Sequence, residues 1–195
     1  MNIVPLKTYF SKHLLLDEME VEFLETVFTE KKVRRKQYIL QQGDVCQLNT
    51  FVVEGCFRMF LVDDQGKEHN LQFAIENGWI LDMESFYFGQ PSRLNIEAIE
   101  HSIVYQIKKE DQFKLFTEYP KFNHIFRVLC ENALISSQKR VLQNISSTAE
   151  ERYIEFLNRF PQLINRISNV QIASYIGVTS EFLSKIRKEI STKQR

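Results

Sequence analysis

Residues 169–188, NVQIASYIGVTSEFLSKIRK, leave this chain few ways to fold. Ile172, Ile176, Val178, Leu183 and Ile186 recur at offsets that face a common core, and Ala173 supplies a small residue where one helix presses on the next. Gly177 sits at the turn, where the chain must leave the first helix with a positive φ that a Cβ opposes. Thr179 or Ser180 then offers a hydroxyl to the free N–H groups of the second helix, and Glu181 suits its positive end. This is the layout of a helix-turn-helix, whose second helix can lie in a DNA major groove. Its outward residues are Ser180, Glu181, Ser184, Lys185, Arg187 and Lys188, all able to reach bases or phosphates. Any amphipathic helical hairpin shares the apolar spacing, but not the coincident glycine and alanine.

Charge first speaks against nucleic acid, because 25 Lys and Arg balance 25 Asp and Glu. The distribution points the other way. Residues 139–195 hold ten basic and five acidic side chains, while residues 1–138 hold fifteen basic and twenty acidic. An acidic front and a basic rear fit a sensing domain joined to one that meets phosphates. Cys46, Cys56 and Cys130 are odd in number and widely spaced, which predicts neither a disulfide framework nor a zinc site and points to a reducing cytoplasm. No stretch approaches the roughly 20 apolar residues of a membrane span. The N-terminus lacks a cleavable signal pattern and reads as an amphipathic helix.

Residues 5–29 read as helical, with Asp17 as an N-cap inside them. The basic run Lys31, Lys32, Arg34, Arg35 and Lys36 reads as a solvated flank leading into a strand at 37–42. Further short β segments are predicted at 48–53, 56–63, 68–75, 79–81, 95–99 and 102–108, cut by glycine-containing turns such as Asp64-Gln65-Gly66. Gly43 and Gly55 are assigned backbone conformations that other residues resist. Such spacing predicts a sandwich, jelly roll or small barrel. A short helix at 110–116 precedes a long one from Pro120 to about Asn144, whose apolar surface exceeds what one small domain covers. A partner helix from a second copy of the chain is the expected cover. Thr148 with Glu151 makes a capping box for a helix at 149–159, and the domain joint is placed just before it.

These parts, in this order, resemble the Crp/Fnr family of bacterial transcription regulators. The resemblance is carried by Ala149-Glu150-Glu151-Arg152, by Ile172 through Thr179, by Glu181 through Lys188, and by Gln42-Gly43-Asp44 and Glu54-Gly55. It implies an α+β fold: an N-terminal double-stranded β-roll (jelly roll) over 1–116, a long dimerisation helix over 117–145, and a helix-turn-helix domain over 146–195. Because the chain stops at Arg195, the family's wing is expected to be shortened or absent. The implied partners are double-stranded DNA with an inverted repeat and a second copy of the chain, and the resemblance admits RNA polymerase as well. Glu181, Ser184 and Lys185 match the family's base-reading positions, with Lys185 where the family has Arg and therefore without its bidentate fork. Ser168, Thr179, Ser180, Arg187 and Lys188 are the expected contacts to the DNA backbone.

The same comparison places an effector pocket at Leu81, Asp82, Met83, Ser92 and Arg93. Leu81 stands where cyclic-AMP-binding members carry Gly, and Ser92-Arg93 scrambles their Arg-Ser pair, so the expected effector is not cyclic AMP and its identity stays open. Three cysteines fall short of the four thiolates of an iron–sulfur cluster, and His13, His69, His101 and His124 show no metal spacing. The expectation is therefore no cofactor, no metal, no catalytic residue and no enzyme activity. The competing reading is a ligand-binding regulatory module that acts through a protein partner, its helix-turn-helix vestigial.

Overall fold

A computed structural model describes residues 3–193 of the chain; of residues 191–195, which read in sequence as a basic tail, 191–193 continue a helix instead and 194 and 195 lie outside the described residues. The fold divides into two compact units, Met1–Leu61 with Gln72–Cys130, and Val62–Leu71 with Glu131–Arg195.

The first unit opens with α1 (Val4–Ser11) and α2 (Glu18–Val27). Asp17 caps α2 in a reciprocal capping box: its carboxylate accepts from the Glu20 N–H at 2.9 Å, and the Glu20 carboxylate accepts from the Asp17 N–H at 2.8 Å. The strands are β1 (Phe28–Val33), β2 (Tyr38–Leu40), β3 (Leu48–Glu54), β4 (Phe57–Val62), β5 (Glu68–Ala74), β6 (Trp79–Ile80), β7 (Asn95–Ala98) and β8 (Ser102–Lys108). They form two four-stranded sheets, ordered β1-β8-β3-β6 and β2-β7-β4-β5. The helix α3 (Met83–Phe88) interrupts the strands, and α4 (Lys109–Glu118) follows them.

Two apolar cores explain why these strands lack a clean alternation. Val52, Phe57, Ile80, Ile96 and Val104 fill the space inside the roll. Phe51, Tyr105 and Ile107, on the opposite face of the same sheet, pack against Leu6, Phe10, Leu24, Leu115 and Phe122 of the helices. A sheet covered on both faces reads as nearly continuous apolar sequence.

Two elements depart from the sequence reading. β1 occupies residues placed partly in a helix and partly in a solvated flank, because only its end residues, Phe28 and Val33, are buried. Its four exposed middle residues carry no period-2 signal, yet β1 pairs with β8 in antiparallel register from Phe28 opposite Ile107 to Val33 opposite Ser102. The six-residue α3 is too short to show a helical period. Gly43 and Gly55 have φ of 95° and 105°, as expected of their turns.

The second unit contains the distal part of α5 (Pro120–Ser146), then α6 (Ala149–Arg159), a 3-10 turn at Pro161–Leu163, α7 (Asn169–Ile176) and α8 (Ser180–Lys193). The predicted capping box of α6 is present, the Thr148 hydroxyl accepting from the Glu151 N–H at 3.3 Å. At 27 residues α5 is about 40 Å long. Phe122, Ile125 and Phe126 near its start are buried, whereas Leu134, Ile135, Val141, Leu142 and Ile145 are exposed, Ile145 by 79%. No helix among the described residues is long and apolar enough to cross a membrane.

Candidate nucleic-acid interface

The helix-turn-helix is built around Ile172, Ala173, Ile176, Leu183 and Ile186, each less than 5% exposed. Gly177 adopts φ 75° at the C-cap of α7, and the Val178 N–H closes the cap on the Ala173 carbonyl at 2.9 Å. The C-terminal carbonyl of Ile176 also accepts from Arg152 Nε at 2.9 Å, and Arg152 Nη1 donates to the Ser147 carbonyl at 2.8 Å. Arg152 thus joins the start of α6 to the negative end of α7. Sequence reasoning noted Arg152 without assigning this positioning role, since its partner lies 24 residues away.

Thr179, rather than Ser180, caps α8, its hydroxyl accepting from the Phe182 N–H at 3.2 Å. Glu181, Ser184, Lys185, Arg187 and Lys188 are all exposed on this helix, and Ser180 is half-buried. The backbone N–H of Glu181 itself, then the hydroxyls of Thr179 and Ser180, hold the Glu181 carboxyl below the usual carboxylate range. It therefore stays an anionic acceptor at neutral pH, suited to an amino donor such as cytosine N4. Ser184 Oγ donates to the Ser180 carbonyl at 2.9 Å, which leaves its lone pairs facing outward as acceptors. Lys185, exposed on the same face, is an ammonium donor.

The residues expected to contact the DNA backbone separate into two groups. Lys188 is exposed and available. Arg187 already donates through Nη1 to Asn169 Oδ1 at 2.5 Å, and the Ser168 hydroxyl caps α7, accepting from the Gln171 N–H at 3.2 Å. Ser168→Ala should therefore destabilise the second unit by about 1 kcal/mol, as an N-cap loss does, measurable by urea unfolding without DNA. An unchanged midpoint would assign that hydroxyl to the ligand alone.

Within the second unit, residues 68–71 lie on α7. Ser174 Oγ donates to the Glu68 carbonyl at 2.7 Å and accepts from the Asn70 N–H at 2.9 Å, and Asn70 Nδ2 donates to the Gln171 carbonyl at 3.3 Å. Arg140 of α5 donates to the Leu71 carbonyl. These bonds join positions up to 106 residues apart, and no local signal announces them.

The residues assigned to an effector pocket are only partly brought together. Asp82 is buried and caps α3, its Oδ1 accepting from the Glu84 N–H at 3.1 Å, while its Oδ2 accepts from Ser92 Oγ at 2.6 Å. Leu81 packs against the roll core, and Met83 and Arg93 face solvent. Asp82 and Ser92 therefore satisfy each other and offer a phosphate no free buried donor. A cavity of about 340 Å³ does open into the roll beside Leu40, Cys46, Thr50, Ile80 and Ile96, with neither Lys nor Arg in its lining. Burial pushes the Cys46 thiol up, and an inert thiol follows from that environment. Among the described residues no group of three or more His, Cys, Asp or Glu is placed to hold a metal.

Residues 30–119 match the family model of the cyclic nucleotide-binding domain. No curated protein compared with the chain matches it by sequence. Among solved structures, FixK2 from Bradyrhizobium japonicum superposes with a TM-score of 0.76 at 21% identity, with 86% of each chain covered. The c-di-GMP-responsive regulator CLP of Xanthomonas campestris gives 0.75 at 13% identity, covering 91% of this chain and 93% of its own. A protein from Eubacterium rectale, assigned as a transcriptional regulator of the Crp/Fnr family, gives 0.67 at 16% identity, over 91% and 85%. The chain has the Crp/Fnr fold. At these identities the likeness speaks to architecture alone.

Proposed function

We propose that the protein is a cytoplasmic, homodimeric, sequence-specific DNA-binding transcription regulator of the Crp/Fnr type. The observation that carries this reading is the first two turns of α8, where Glu181, Ser184 and Lys185 face solvent on a helix held by Gly177, Thr179 and Arg152. Glu181 accepts from cytosine, Ser184 accepts beside it, and Lys185 donates to guanine O6 or N7. Thr179, Ser180, Arg187 and Lys188 approach phosphates, with Ser168 at the positive end of α7. The surplus of basic over acidic residues in 139–195 supports the same partner.

The exposed stripe from Leu134 to Ile145 supports a second copy of the chain as the cover of α5. In this scheme 1–116 senses, 117–145 joins the dimer and 146–195 binds an inverted repeat, with RNA polymerase the downstream partner. The effector differs from cyclic AMP, because Asp82 and Ser92 are engaged with each other and Arg93 stands in solvent.

Selection from random duplexes should return a short inverted repeat whose binding weakens steeply with added salt. Lys185→Ala should relax preference at one position of each half-site by about 1–3 kcal/mol. Equal retention of all sequences would overturn the reading.

A further inference from the structure

We infer that Phe182 is a specificity-determining residue that reads the C5-methyl group of a thymine in each DNA half-site. The inference rests on the DNA-binding reading and adds a base that none of Glu181, Ser184 and Lys185 accounts for.

The chain has sixteen Phe, and those of the second unit show what the fold does with them. Phe156 is buried, and Phe160 is half-buried with its ring 6.0 Å from that of Tyr175. Phe182 instead stays 47% exposed. It occupies the third position of α8, and its backbone N–H is bonded to the Thr179 hydroxyl, so it belongs to the ordered first turn. Residues in that turn of a recognition helix approach base edges.

Helical spacing places it further. Leu183 and Ile186 take the buried side, and Glu181, Ser184 and Lys185 the outward side. Phe182 lies at the border, three residues from Lys185 and therefore its neighbour on the helix surface. An apolar ring in water among base-reading groups gains free energy when a ligand removes that water. Base edges in the major groove present acceptors, amino donors and one apolar group, the methyl of thymine. The chemistry of the groove thus leaves a single partner for this ring.

Burying one group of methyl size is worth about a fourfold change in affinity, or about fifteenfold when both half-sites contribute. The test uses the full chain and the duplex it selects, with each thymine replaced in turn by uracil, which keeps the pairing and O4 but lacks the methyl. One position per half-site should weaken binding about fourfold on replacement. Phe182→Ala should bind the thymine duplex as wild type binds the uracil duplex and no longer distinguish them, while Phe182→Leu keeps the distinction. Indifference of wild type to every replacement overturns the inference. So does a Phe182→Ala variant that still distinguishes thymine from uracil, or that loses affinity equally for both. Failure to select any duplex instead overturns the DNA-binding reading beneath it.

Discussion

Gly55→Ala should destabilise the β-roll by about 3–5 kcal/mol, a large part of the stability of an ordinary domain. Gly55 lies at φ 105°, and a Cβ built there would stand 2.1 Å from Ser102 Oγ, 2.6 Å from Ser102 Cβ and 2.8 Å from Ser102 Cα. Backbone strain at such a φ contributes about 1–3 kcal/mol, and forced overlap in a packed site a similar amount. Gly66 is the control: its φ is 77°, but an added Cβ meets nothing within 4 Å, so alanine there carries the strain alone. Removing the Ser102 side chain should not rescue Gly55→Ala, because the Cα of residue 102 remains too close. Urea unfolding followed by Trp79, the chain's one tryptophan, reads these differences. Equal midpoints for the Gly55 and Gly66 variants would refute the close-approach argument.

Glu97→Ala should cost about 3–5 kcal/mol for a different reason, the stranding of a buried charge. Arg58 of β4 stands opposite Glu97 of β7 in the sheet register. Its Nε donates to Glu97 Oε2 at 2.7 Å and its Nη2 lies 2.6 Å from the same oxygen, with both side chains about nine-tenths buried. The guanidinium also sits 4.0 Å over the Phe60 ring, which keeps it in place once its anion is gone. Replacing both partners by apolar residues, Arg58→Met with Glu97→Leu, should recover most of the loss. A Glu97→Ala variant within about 1 kcal/mol of wild type, in the range of exposed pairs, would show that the pair is solvated in solution.

The two predictions differ in what sequence alone could say. Gly55 was legible as a turn glycine, because a two-residue break between apolar runs calls for positive φ. That its Cβ would strike Ser102 was not, since the two meet only when β3 and β8 pair. Arg58 and Glu97 were not legible as a pair at all. They lie 39 residues apart, and only the register sets them face to face.

The same division runs through the candidate site. The apolar spacing of Ile172, Ile176, Leu183 and Ile186, the turn at Gly177 and the caps near Thr148 and Thr179 are properties of a few consecutive residues. Their chemistry acts over one or two helical turns, so composition and spacing sufficed. Asp82 shows the limit. Aligned by resemblance it stood for a ligand group, whereas it is the cap of α3 and the partner of Ser92. An acidic residue followed by Met83-Glu84-Ser85 carries an N-cap signal that could have been read.

What sequence by itself determined is therefore the longer helices, most strands and the outward face of α8, because backbone hydrogen bonding and apolar periodicity are local. Tertiary structure alone decided that β1 exists despite four exposed residues, that Arg152 closes the end of α7, and that residues 68–71 bond to Ser174. Each of these depends on a polar group finding its partner across a long stretch of chain. Such a match is a property of the packed geometry, and neighbouring residues carry no trace of it.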